Sequence, residues 1–163
     1  MHDSTNVPPY KNIALTVGGI LSLLASLIHF AAIIGGPDWY RFFGAGEEMA
    51  QMAERGELYP VIMTCFIGTV LAVWAAYAFA GAGLLRPLPF MRFCLTGISI
   101  VYLGRAFFGI GFVIFMDNPY LLGVQQDVKF LFISSLIVLV YGFLYALGTA
   151  QVWPAFTPKK EES

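Results

Sequence analysis

Few residues in this 163-residue chain have side chains suited to more than packing, and Arg105 stands out among them, set in the apolar run SIVYLGRAFFGIGFVIF at 99–115. A guanidinium stays charged at any physiological pH and carries five N–H donors, so it binds a carboxylate, a phosphate or several carbonyl oxygens. Insertion scales place an arginine at the bilayer centre at about 2.5–3.5 kcal/mol unfavourable, and some partner must offset that cost. No Asp or Glu lies inside any long apolar run of the sequence; the nearest are Glu57, Asp117 and Asp127 at the rims. Three partners are therefore open to Arg105: a loop carboxylate such as Asp38, Glu47 or Glu48, the backbone carbonyls of a glycine-loosened helix, or an anionic or carbonyl-bearing ligand. Tyr102, one turn earlier, and Tyr141 offer hydroxyls that accept hydrogen bonds without neutralising charge.

His29 is the second candidate. It continues a helical series of small residues, Gly18, Ser22 and Ala25, with Ala32 beyond it. Small residues mark the face on which membrane helices approach, so His29 is expected to point into a bundle, at about the depth of Cys65 and of Ser134 or Ser135. It serves there either as an interhelical hydrogen-bonding group or in proton or electron transfer. A metal role lacks ligands. The other histidine, His2, sits in a polar tail, and adding Cys65 gives two ligands where structural zinc takes four. Met49 and Met52 are soft enough for copper, but their helical spacing reads as packing. Cys65 and Cys94 fall at different depths, whereas a disulfide needs Cα atoms within about 7 Å, so both are expected as free thiols. The candidate ligand-binding set is thus Arg105, His29, Tyr102 and Tyr141, with no catalytic set and no identifiable cofactor.

The elements that must position these residues follow from composition. Hydrophobic residues make up 58% of the chain and charged ones 12%, with a mean hydropathy of +0.74. That is far from the roughly 25% charged of a soluble domain. Four apolar runs, at 13–35, 59–85, 90–116 and 128–153, each exceed the roughly 20 helical residues that cross a hydrocarbon core. Backbone amides in lipid must be satisfied within their own segment, so each run predicts a helix, and the alternation of a β-barrel is absent. The first run is longer than a signal-peptide core and lacks a small-x-small cleavage site, so it is expected to be retained. The expectation is an all-α, single-domain four-helix transmembrane bundle over 1–163, its partner the lipid bilayer.

Connections add detail. The short proline-stiffened turn LRPLPFMR predicts that the second and third spans are close antiparallel neighbours. The long first loop carries Ala45, Met49, Met52, Ala53 and Gly56 at helical spacing against Glu47, Glu48, Gln51, Glu54 and Arg55, which predicts an amphipathic extramembrane helix over about 45–57. It acts as a cap on the bundle or as a lid over an outward-opening cavity. Gly97, Gly104 and Gly111, seven apart, with Gly109 beside them, are expected to let the third span pack closely. The tails 1–12 and 154–163 are expected to fray. Lys11, Arg86, Arg92, Lys159 and Lys160 on one side against Arg41, Arg55 and Lys129 on the other predict both termini in the cytoplasm.

In size and number of spans the chain resembles the broad set of small four-helix bacterial membrane proteins that includes the DoxX-like quinone-linked subunits. The resemblance is one of architecture and carries no site. Nucleotide-binding loops, HExxH, CxxC and GxSxG motifs are absent, and no clustered basic surface fits a nucleic acid. The expected function is therefore a non-enzymatic accessory or binding protein for a lipid-like or quinone-like ligand, or for a partner subunit, through a polar centre around Arg105. A quinone-linked redox component, and a small-solute or anion transporter or channel acting as an oligomer, are the alternatives. Assembly into a homo-oligomer or a larger membrane complex stays open.

Overall fold

The computed structural model describes residues 11–115 and 128–156. Four long helices dominate it: α1 (Ile13–Gly35), α4 (Tyr59–Gly81), α5 (Met91–Phe115) and α6 (Val128–Val152), each long and apolar enough to cross a membrane. Two short helices, α2 (Pro37–Phe42) and α3 (Glu47–Glu54), link α1 to α4, and a 3₁₀ turn (Trp153–Phe156) follows α6. Ile20, Leu24 and Leu27 on α1, Phe66 on α4, Val101 and Phe108 on α5, and Ile137 on α6 are exposed on the outside of the bundle. Hydrocarbon is the solvent that such a surface fits. The all-α four-helix membrane bundle is the fold.

Close approach between helices is made by small residues. Gly68 of α4 lies under Phe30 and His29, and its carbonyl accepts a 2.7 Å hydrogen bond from Ser26 Oγ of α1. A Cβ at Gly19 would stand 2.7 Å from the Phe79 ring. On the other side of the bundle, Gly142 of α6 presses on Leu103 of α5, where a Cβ would come within 3.0 Å of backbone. Helices α1 and α4 form one intimate pair, α5 and α6 the other, and α1 against α6 joins them. The expectation that the short turn makes α4 and α5 close partners is therefore only half met. They adjoin, but bulky rings such as Trp74 and Tyr102 stand between them and hold their backbones apart. The glycine heptad is corrected at two of its positions: a Cβ at Gly97 or Gly104 would meet nothing within 4 Å, so neither serves packing inside the bundle.

Helix ends differ from the sequence expectation for local reasons. The second span stops at Gly81 rather than near residue 85, and Gly83 at φ +75° turns the chain away. Asn12, expected to fray with the tail, is instead 2% exposed. Its side-chain oxygen caps α1 by accepting from Leu15 N at 2.8 Å, and its Nδ2 donates to Gly148 O and to Gln151 Oε1 of α6. Its backbone N–H reaches Ala82 O at 3.3 Å, so one residue ties three helices at this end.

At the opposite end, Gly36 at φ +71° ends α1 and Pro37 starts α2, a pairing of turn glycine and first-turn proline that reverses the chain. The amphipathic helix is present as α3, shorter than 45–57, and it buries Ala50 rather than Ala45 or Gly56, which are exposed. Helix α2 was not expected. Arg41 fastens it to α3, donating from Nε and Nη2 to the two oxygens of Glu47 at 2.8 and 2.7 Å, with Glu54 Oε1 at 2.8 Å and Asp38 at 3.5 Å. This paired geometry holds the Glu47 carboxyl below the usual carboxylate range, through its hydrogen bonds to Arg41 first, and raises Arg41 further. The connector between the two helices reaches α6, where Gly44 at φ +70° sits against the Phe130 ring.

Candidate functional site

All four spans contribute to a cluster of hydroxyls and rings at mid-bundle. Ser22 of α1 is fully buried, 3.0 Å from Tyr102 Oη of α5 and 2.9 Å from Tyr145 Oη of α6. Tyr145 donates to the carbonyl of Trp74 on α4 at 3.1 Å, and Tyr141 donates to the carbonyl of Leu21 at 3.1 Å. Tyr102 lies at the crossing, with Trp74 edge-on at 4.9 Å and Tyr141 and Tyr145 each at 5.4 Å between ring centroids.

These distances determine where the protons sit. A carbonyl only accepts, so the single proton of Tyr145 points at Trp74. Tyr145 then accepts from Ser22, and Ser22 in turn accepts from Tyr102. The order Tyr102 to Ser22 to Tyr145 to the Trp74 carbonyl uses every hydroxyl proton in the chain. A wire that ends on a peptide carbonyl passes no proton onward, and the centre keeps no spare donor for a ligand. Its chemistry is structural: buried hydroxyls are costly unless paired, and here each pairing fixes one helix against another.

The candidate residues separate accordingly. Tyr102 and Tyr141 come together, Tyr102 being 6% exposed. His29 is half-buried on the α1–α4 side, its ring Nδ1 2.7 Å from the carbonyl of Ala25, which requires the proton on Nδ1. Arg105 does not point at this centre. It is exposed on the outer face of α5, with Nη1 donating to Ser135 Oγ of α6 at 3.3 Å. Ser135 gives its own proton to Leu131 O at 2.6 Å and is left as an acceptor. Gly109, one turn on from Arg105, makes the room: a Cβ there would collide with Ser135 Oγ and stand 2.6 Å from Arg105 Nη1. The guanidinium thus lies along the α5–α6 seam, about 15 Å from the Phe115 end at 1.5 Å per residue.

The candidate set left out Tyr145, Trp74 and Ser22, although Ser22 lies on the small-residue face of the first span and Tyr145 shares a helical stripe with Tyr141, so that both tyrosine hydroxyls were expected to want partners. It also missed Asn12, whose role depends on which helix lies opposite, whereas Gly109, read as one of the packing glycines of the third span, does lie in close contact with Ser135. Cys65 and Cys94 are free. Among the described residues, no group of three His, Cys, Asp or Glu stands close enough to hold a metal ion. Compared with family models, with curated proteins and with solved structures, the chain matches none.

Proposed function

We propose that the protein is a multi-pass integral membrane accessory subunit, both termini cytoplasmic, that binds rather than catalyses and uses Arg105 to hold an anionic group presented from within the bilayer. One observation carries this reading: a guanidinium exposed on the outer face of α5 near mid-span, seated on Ser135, in a chain whose spans contain no carboxylate. Ser135 is neutral and occupies one of five donors, so the charge is positioned without being neutralised there. An intramembrane ionisable group is kept for a partner, and the outward face of α5 selects a partner from outside the bundle. A carboxylate on a neighbouring subunit's helix fits best, because it would engage the planar fork through two oxygens. Lysines and arginines concentrated at the end that carries both tails support the orientation.

Native mass spectrometry of the gently extracted protein tests the reading. Wild type is expected to carry a partner subunit or an anionic ligand, with Arg105→Leu losing that mass while retaining its thermal unfolding midpoint. Identical bound species in the two proteins would overturn it.

A further inference from the structure

A second site is cut into the opposite end of the α5–α6 seam. An open groove of about 530 Å³ runs there between Thr96, Ser99, Ile100 and Leu103 of α5 and the last two turns of α6, with Trp153 lining its end. That volume is within the range of small-molecule sites. One group in the groove wall and one beside it are unfinished. Thr149 borders it and is only 5% exposed, yet its hydroxyl has no hydrogen-bond partner. Arg92 lies one turn from Thr96 with its guanidinium carbon 5.1 Å from the centre of the Trp153 ring, and its buried Nε is also without a partner. An unpaired buried hydroxyl is destabilising, so a ligand that supplies an acceptor recovers free energy.

We infer that this groove binds one anionic glycerophospholipid, its phosphate on Arg92, its ester region at Thr149 and an acyl chain along Ile100 and Leu103. The order of chemistry along the groove is the basis. From the helix ends inward it runs cation, amphipathic ring, hydroxyl, then apolar wall, the order of phosphate, glycerol ester and chain in a lipid. Arg92 to Leu103 spans eleven residues, about 16 Å of helix, so one half of a bilayer covers it. Trp153 stands where interfacial indoles gather, and Arg86 on the adjoining turn adds positive charge at the same end. The Thr149 hydroxyl oxygen is itself covered, and rotation about Cα–Cβ to the other helical rotamer of threonine would bring it to the groove wall. Thr96 and Ser99 donate to their own backbone, at Arg92 O and Leu95 O, which leaves their oxygens as acceptors only and Thr149 as the free donor. A zwitterionic lipid satisfies Thr149 equally but brings its own cation beside Arg92, so the site discriminates by headgroup charge.

The test incubates the purified full-length protein in detergent with 1-palmitoyl-2-oleoyl phosphatidylglycerol or with phosphatidylcholine of the same chains, and counts retained lipids by native mass spectrometry. Wild type is expected to keep one phosphatidylglycerol per chain, at least tenfold over phosphatidylcholine. Arg92→Gln removes that preference, and Ala150→Phe, which fills the groove, lowers retention of both lipids. Arg105→Leu leaves retention unchanged, so this result and the test of the Arg105 reading stand or fall separately. Equal retention of the two lipids by wild type overturns the inference, as does an unaltered preference in Arg92→Gln, or a chain dimer that forms through the groove and excludes lipid. Should Arg92→Gln not fold, Ala150→Phe decides alone, and undiminished phosphatidylglycerol retention in it overturns the inference.

Discussion

Ser22 has no charge and little bulk, yet two tyrosines from two other helices converge on its one oxygen. Ser22→Ala leaves Tyr102 without an acceptor, while Tyr145 keeps Trp74. The expected loss is about 1–2 kcal/mol, read as a lower unfolding midpoint in detergent, since buried orphaned hydroxyls cost about 1–3 and interhelical bonds in membranes average less. Tyr102→Phe on that background should cost almost nothing more, because its hydroxyl has already lost its partner. A double-mutant cycle therefore shows a coupling of order 1 kcal/mol, and strict additivity would contradict the Ser22–Tyr102 hydrogen bond. Asn12 is the other keystone. Asn12→Ala removes the α1 cap and both Nδ2 bonds to α6, for an expected loss of about 2–3 kcal/mol. A stability unchanged within about 0.5 kcal/mol, the scatter of surface substitutions, would show that the tail frays after all.

At the scale of elements, α5 and α6 lie against each other through two glycines with different duties. Gly142 admits the Leu103 backbone and side chain, so Gly142→Ala wedges the pair and should cost about 1–3 kcal/mol, measured by thermal unfolding. Gly109 admits the Arg105 guanidinium, so Gly109→Ala should disturb whatever Arg105 binds. Helices α2 and α3 are held together differently, by the charged clip of Arg41 on Glu47 and Glu54. The Glu47 carboxyl titrates below its unfolded value, so its contribution is present at neutral pH and above the ordinary carboxylate range. It is lost as pH falls through the depressed folded value. Hydrogen exchange of α3 amides, corrected for the intrinsic pH dependence, should therefore show protection constant from pH 8 to about 5 and falling below about 4. The clip is exposed, so the effect is local and weakens with salt.

As a whole molecule the bundle consists of two intimate pairs, α1 with α4 and α5 with α6, joined through α1 and α6 and stitched at the centre by the hydroxyl chain. Its two ends are unlike. One is tied by Asn12 and bears Arg92 beside Trp153; the other is capped by two short helices with carboxylates around Arg41. Four spans return the chain to the side on which it began, so reporters fused at the two tails should give the same signal, and the distribution of lysine and arginine predicts a cytoplasmic one. Opposite signals at the two tails would contradict the four-span topology.

The number of spans, their approximate limits and the surface helix were all legible in the chain. Hydropathy and composition are local properties, and a bilayer turns local hydropathy directly into spanning helices. The partners of Arg105 and Tyr102 were not legible. These two residues are three apart on one helix, a spacing that read as one shared face, yet tertiary packing turned Tyr102 inward to Ser22 and left Arg105 outside on Ser135. The same limit applied to glycine: a spacing of seven at 97 and 104 looked like a contact surface, whereas the contacts fell to Gly109 and Gly142. In a span that is apolar on every side, periodicity carries no information about which face is buried, because lipid and protein interior are equally apolar. Only the close approach of particular backbones, at glycines and serines on facing helices, decided the rotation of each span and with it which polar group looks inward.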